Sequence, residues 1–303
     1  MKTLVTHNGT FHADDVFAVA TFLMANNQNN DWQVVRSRDE SIIEKADAVI
    51  DVGGLHDIAH LRFDHHQKGG AGNRDNTISY ASFGLIWNIF GEMICGDKKT
   101  ADEIEKKIVV SVDAHDNGTT LTQNNYEDVY EYCISDFVSD FNITWKEESE
   151  SEDGGDKLRY DAFMYLVSIA TKLIQRMIIK IKDKYEAREF VVDAYNRAED
   201  KRIIIMDRFY PWQDVLIGLS EPIFVIFPNP VGDAWTVKTI PKEKNSFESR
   251  QLFPESWAGL RDIECASATA VQSAYFVHNA RFIAFTKTKE DAIVLANKAL
   301  NQA

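Results

Sequence analysis

The sequence predicts an α/β protein, with a mainly parallel-sheet N-terminal domain followed by a smaller α+β C-terminal domain. Three features lead there. Short apolar runs alternate with helical patterns through the first half of the chain. One long helical stretch follows, roughly Leu158 to Asp200. Beyond it the pattern turns strand-rich. The 303 residues are ample for two domains, placed at 1–190 and 191–303.

In order, Thr3–Thr6 reads as a short strand. A helix from Asp14 to Ala25 follows, with Val16, Phe17, Val19, Ala20 and Leu23 at helical spacing. Gln33–Ser37, Ala48–Asp51 and Leu61–Phe63 read as strands, and Tyr80–Phe90 as an apolar, aromatic helix. Thr100-Ala101-Asp102-Glu103 has the form of a capping box and opens a helix to about Val112. Alternation of this kind implies a mainly parallel sheet covered on both faces. Residues 146–157 form a polar, acidic loop read as a solvated insertion. In the connector at 158–200, Phe163, Leu166, Ile169, Leu173, Met177 and Ile181 form an apolar stripe. Lys172, Arg176, Lys180, Lys182, Lys184 and Arg188 interleave with it, as a solvated face or as a basic wall toward nucleic acid. Arg202–Met206, Ile223–Phe227, Trp235–Ile240, Tyr275–His278 and Phe282–Thr286 are the later strands, with helices from Pro254 and over Glu290–Leu300.

Composition narrows the function. The net charge of −14 argues against a protein that coats nucleic acid through a broad basic surface. It leaves room for an enzyme that takes one phosphodiester into a metal site, where cations supply the positive charge. Cys95, Cys133 and Cys265 form no CxxC pair and read as reduced thiols. No apolar run is expected to span a bilayer, and the chain enters its first strand without a targeting pattern. The expected compartment is the cytoplasm, with no membrane partner. Nothing in the sequence sets the oligomeric state.

Seven of the eight histidines lie within the first 116 residues, and they fall at the ends of elements. His7 follows the first strand, Asp51 ends the third, and Asp64-His65-His66 follows Leu61–Phe63. His12-Ala13-Asp14-Asp15 sits between the first strand and its helix. Open α/β sheets bind ligands outside the carboxyl ends of their strands, so these groups point into one crevice. Asp113 and Asp116 lie one helical turn apart, and either or both can face it. Mixed His and Asp donors suit Mn²⁺, Co²⁺, Fe²⁺ or Zn²⁺ better than Mg²⁺. With five or more candidate ligands two ions are expected, about 3.5–4 Å apart, with Asp51 able to bridge them. A lone strand-end Asp is most often a turn residue, so the weight rests on convergence. His56 and His60 read as surface residues of a polar loop or turn.

Several segments occur in a telling order: Val5-Thr6-His7-Asn8-Gly9-Thr10-Phe11-His12-Ala13-Asp14-Asp15, Val52-Gly53-Gly54, Arg62-Phe63-Asp64-His65-His66-Gln67 and Asp116-Asn117-Gly118. Together they resemble the melanocyte-proliferating-gene (Myg) family of the DHH phosphoesterase superfamily. Asp207-Arg208-Phe209-Tyr210-Pro211-Trp212 and Leu252-Phe253-Pro254-Glu255-Ser256-Trp257-Ala258-Gly259-Leu260-Arg261 extend the resemblance over nearly the whole chain. It implies an N-terminal DHH domain, a smaller C-terminal domain and an active cleft between them. It implies two divalent ions, Mn²⁺ first, with Mg²⁺, Co²⁺ or Zn²⁺ as other candidates. It also implies a 3′-to-5′ exonuclease acting on RNA or short oligonucleotides.

Carried over by position, the resemblance makes His7, His12, Asp14, Asp51, His65 and Asp116 metal ligands, Asp51 the bridge. Asp64 would orient a ligand histidine, and His66 would face the substrate phosphate. Asp64, His66 and Asp51 are thus the catalytic candidates. Arg250 and Arg261 flank the Pro254 helix start and can hold a phosphate or a surface ion pair. His278 is either a strand-end residue or a phosphate or ribose contact. Two departures from the family pattern stand out. His12 occupies a position where the superfamily usually has Asp, and Arg281 and Ala284 stand where glycines tend to follow Val-His. They bear on the first metal site and on substrate size. Two other functions compete: a small-molecule phosphatase or pyrophosphatase on the same centre, and a non-catalytic metal-binding regulatory protein.

Overall fold

The computed structural model describes residues 1–26 and 31–302. It divides into two compact units, Met1–Ile181 and Lys182–Ala303. The first holds β1 (Lys2–Thr6), α1 (Ala13–Asn26), β2 (Trp32–Arg36), α2 (Glu40–Lys45), β3 (Ala48–Ile50), β4 (His56–Asp57) and β5 (Arg62–Phe63). It continues with α3 (Ser82–Cys95), α4 (Lys98–Ile104), α5 (Val110–Asp116), α6 (Ile134–Ser139), α7 (Trp145–Glu150) and the start of α8 (Asp156–Arg197). The sheet order is β2-β1-β3-β5-β4. β1 runs parallel to β2 and β3, β3 parallel to β5, and only the short β4 is antiparallel.

Parallel strands buried on both faces read as continuous apolar runs, and β1 and β3 do so at Leu4, Val5, Ala48, Val49 and Ile50. α1 is buried from Ala13 to Phe22, so it sits inside the layers rather than on them. Phe17 meets Phe83 of α3 at 5.3 Å between centroids, Phe22 meets Phe90 at 5.8 Å, and Phe63 of β5 meets Phe90 at 6.3 Å. Each such ring contributes roughly 1.5–3 kcal/mol relative to exposure. This packing fixes the carboxyl ends of β1, β3 and β5 against the N-termini of α1 and α3.

The second unit holds β6 (Ile203–Ile205), α9 (Gln213–Leu216), β7 (Phe224–Pro228), β8 (Trp235–Thr239), α10 (Asp262–Thr269), β9 (Ala274–Val277), β10 (Ile283–Thr286) and α11 (Lys289–Asn301). Its sheet, β6-β7-β8-β10-β9, is parallel only between β6 and β7. The strand period of two divides its core. Phe224 and Ile226 pack with Leu295 and Ala299 of α11, while Val225 and Phe227 pack with Val191 and Ala194 of α8 and Leu216 of α9.

Four expectations are corrected. Thr100 does not open its helix: Asp97 is the cap, accepting from the Thr100 N–H, and a π turn over Glu105–Val109 carries the helix on to Asp116. The acidic segment is not all loop, because Thr144 and Glu147 form a capping box that starts α7. After Pro254 there is a single 3₁₀ turn, Glu255–Trp257, and α10 begins only at Asp262. Finally, α8 is long and apolar enough to cross a membrane by length and composition, with mean hydropathy 1.4 over 18 residues. A third of that window is buried. The buried residues Phe163, Leu166, Val167, Ala170, Ile174, Met177 and Ile181 form one helical stripe, the pattern of a helix packed on one face.

Candidate metal centre

β1, β3 and β5 are each followed by a group that joins the same cluster. His7 follows β1 and is nearly fully buried. Asp51 follows β3 in the left-handed region at φ 58°, a conformation in which Asp is tolerated better than most residues. After Val52 the chain is left-handed again at Gly53 (φ 95°) and Gly54 (φ 67°). That turn aims the Gly54 N–H at Asp64 Oδ2, 2.6 Å away.

Asp14 and Asp15 open α1. Asp14 is wholly buried and reaches across to α3, accepting from Ser82 N (2.9 Å) and Phe83 N (2.6 Å). A helix N-terminus is a favourable place for a carboxylate. The Ser82 hydroxyl donates to Asp51 Oδ1 at 3.0 Å. One helix end thus orients both acids. Asp113 also uses that end, accepting from Gly84 N at 3.0 Å, but it is paired with Arg74 at 2.7 Å. Arg74 in turn binds Glu105 and stacks on Tyr80. Of the two acids of α5, the structure turns Asp116 to the cluster: its Oδ2 lies 3.1 Å from His65 Nε2.

His65 Nε2 is also 3.4 Å from Asp51 Oδ1 and 4.0 Å from Asp14 Oδ2. His7 Nε2 lies 3.0 Å from Asp15 Oδ2 and 3.3 Å from Asp51 Oδ2. His12 stands at the rim, its side chain 57% exposed, 3.9 Å from Asp116 Oδ1. His66 is 60% exposed, and Asp64 Oδ1 holds its Nδ1 at 2.7 Å while accepting the His65 and His66 backbone N–H groups. Asp64 therefore orients His66 rather than His65.

The charges are strongly coupled. Burial would lower the pKa of His7, but Asp15 and Asp51 carry it up to about 10. Against the same burial, Asp116 and Asp51 raise His65 to about 11. Burial lifts Asp14 well above the carboxylate range, helped by Asp51 and Asp116. Asp51 goes the other way: burial opposes it, yet the His65 and His7 imidazoles hold it far down. Its hydrogen bond to Asp64 raises His66, while burial lifts Asp113 to about 6 against the pull of Arg74.

This arrangement fits a metal. His7 Nε2, His65 Nε2 and Asp15 Oδ2 are buried without a hydrogen-bond partner, although oppositely charged atoms lie 3.0–3.4 Å off. The atoms are close but not aligned for hydrogen bonds, as expected where cations rather than protons join them. Three compact donor sets result: His7, His12 and Asp51; Asp51, His65 and His66; Asp14, His65 and Asp116. All six expected ligands appear in them. Asp15, which the sequence reading did not select, stands on the His7 side; its position in the first turn of α1 next to Asp14 was the available signal. Ser82 carried no signal of its own.

The second unit treats its candidates differently. Arg250 is committed to backbone carbonyls, donating to Pro222 O (2.9 Å) and Ile217 O (2.7 Å). It braces those two carbonyls. Arg261 lies over the Phe276 ring at 5.0 Å. His278 accepts from Ala280 N at 3.0 Å, and Arg281 closes that turn at φ 58°, a position suited to glycine. His60 pairs with Asp57 on the surface at 2.7 Å.

The fold and cluster define an α/β chain with a buried His–Asp centre able to hold metal. A family model, MYG1_exonuc, described as an uncharacterised protein family (UPF0160), matches residues 3–300. The chain belongs to that family. It is 30% identical to a MYG1 protein of Dictyostelium discoideum over 99% of this chain and 97% of the relative. It is 29% identical to a human MYG1 exonuclease over 98% of this chain and 85% of that protein. A Bos taurus MYG1 exonuclease is also 29% identical, over 98% and 84%.

Proposed function

We propose that this protein is a metal-dependent phosphodiesterase, a 3′-to-5′ exonuclease acting on RNA or short oligonucleotides with two divalent ions, Mn²⁺ the first candidate. The observation that carries this is the sharing of Asp51 between donor sets on both sides of the centre, as a bridging carboxylate requires. The human and cattle relatives named MYG1 exonuclease support the reaction class. The DHH-type placement rests on the order of the sequence motifs.

Bound ions would polarise the phosphoryl oxygens and lower the pKa of water at the scissile phosphorus. The protein's part follows from its own atoms. Asp14, Asp51 and Asp116 supply the negative charge, and Ser82 and the α3 N–H groups keep two of them from rotating. His66, with Nδ1 fixed by Asp64 and its ring open to solvent, presents Nε2 to the substrate. Its hydrogen bond to Asp64 raises its pKa and so favours the protonated form, the form that would bind a phosphate oxygen and protonate the departing one. His12 and Asp116 line a hollow of about 250 Å³ between α1, α5 and α6. Its small size and the acidic surroundings suit a strand end rather than a long duplex.

The test is digestion of a 5′-labelled single-stranded RNA with Mn²⁺ and with EDTA. A Mn²⁺-dependent ladder shortening from the 3′ end is the expected result, abolished in His65→Ala. Intact RNA with metal demonstrably bound would overturn the nuclease reading.

A further inference from the structure

A second group of metal-type donors lies outside this centre. His115 at the end of α5, Cys133 and Asp136 at the start of α6 place an imidazole nitrogen, a thiol sulfur and a carboxylate oxygen within 4.8 Å of one another. With Glu131 they line one hollow of about 450 Å³ in the first unit, walled otherwise by residues 118–122. The donors come from two separate parts of the chain, the end of α5 and residues 131–136.

Several facts point to an ion rather than to ordinary packing. The exposed His115 ring makes no hydrogen bond or ion pair among the described residues, and the Cys133 thiol and the Asp136 carboxylate lie beside it. Cys133 is half-exposed, whereas Cys95 and Cys265 are buried. Its backbone N–H donates to Asp136 Oδ2 at 2.8 Å, which sets the carboxylate beside the thiol. Cys133 and Asp136 form the capping box that starts α6, and that geometry leaves a sulfur and a carboxylate oxygen facing the His115 imidazole. Donors of type S, N and O suit a thiophilic borderline ion, in contrast to the sulfur-free centre around Asp51. Residues 118–133 run without helix or strand. A segment of that length in a compact domain needs an anchor or a function.

We propose that His115, Cys133 and Asp136, with Glu131 as fourth donor, form a zinc-type site that ties the 118–133 segment to α5. It is separate in chemistry from the Asp51 centre but adjoins it, because His115 precedes Asp116. A bound ion would fix the end of α5 that carries Asp116. The inference does not depend on the nuclease reading.

The experiment is Co²⁺ titration of the full-length, metal-stripped protein, followed by absorption. A thiolate-to-cobalt charge-transfer band is expected, and only Cys133 can supply it, since the other two thiols are buried. Cys133→Ser should abolish the band and remove one metal equivalent. His115→Ala should weaken Co²⁺ binding at this site at least tenfold. Asp51→Asn should leave the band intact, so failure of the Asp51 centre is distinguishable. As a second measurement on the unmutated protein, Zn²⁺ should slow alkylation of one thiol at least tenfold. Cobalt bound without a thiolate band, or alkylation indifferent to Zn²⁺, would overturn the proposal.

Discussion

The two halves of the Asp51 centre are built differently. On the inner side His7, Asp14, Asp15 and Asp51 are buried, tied to backbone N–H groups and to one another. On the outer side His12 and His66 have more than half their side-chain surface open. Buried charges are tolerated only when compensated, so the inner set has the character of a cation cage. The outer set keeps ring nitrogens where a phosphate could reach them. The proposed function would therefore place metal mainly on the buried residues and leave the open rings of His12 and His66, although both also fall in the donor sets, within reach of substrate.

The sharpest break of that contrast is Asp51→Asn. It removes the shared carboxylate and leaves His7 and His65 facing an amide. Activity should fall by about 10³-fold or more, together with loss of one or both ions by calorimetry. Retained stoichiometry would show that Asp51 does not bridge. Next is His66→Ala, which should cost about 10²–10⁴ in kcat with a much smaller loss of metal affinity than Asp51→Asn. If metal binding falls as far, the outer side is not distinct from the inner.

Ser82→Ala is subtler. It frees Asp51 Oδ1 from its hydroxyl donor, and losses of about 10–100-fold in metal affinity are typical for such orienting partners. Ser82→Thr should restore most of it. A stability measurement sharpens the same boundary. A Cβ at Gly84 would sit 1.9 Å from Asp113 Oδ2, so Gly84→Ala should break the buried Arg74–Asp113 pair. About 3–5 kcal/mol is expected in denaturant unfolding; a loss under 1 kcal/mol, roughly, would mean that this pair is not structural.

A further prediction concerns pH. With His7 raised to about 10 and His65 to about 11 in the metal-free chain, metal must displace their protons. Mn²⁺ affinity should therefore rise with pH across the neutral range, by about tenfold per unit for each proton displaced. A flat profile would mean that those imidazoles are already neutral before metal binds.

Much of this was legible in the sequence because strand ends are local features. His7, Asp51 and Asp64-His65-His66 follow apolar runs, and the parallel sheet aligns their carboxyl ends. The choice between Asp113 and Asp116 was not legible. It depends on Arg74 arriving from a distant loop and pairing with Asp113. The role of Arg250 was left open for a related reason: a guanidinium that props up carbonyls and one that awaits a phosphate look alike until its neighbours are placed. The Thr100 capping box failed because Asp97, three residues earlier, competes for the same N–H.

The most direct test of the shared-carboxylate centre is electron paramagnetic resonance of the Mn²⁺-loaded protein. Two ions held by one carboxylate should give an exchange-coupled spectrum that disappears in Asp51→Asn. A spectrum of isolated Mn²⁺ at full loading would contradict the account.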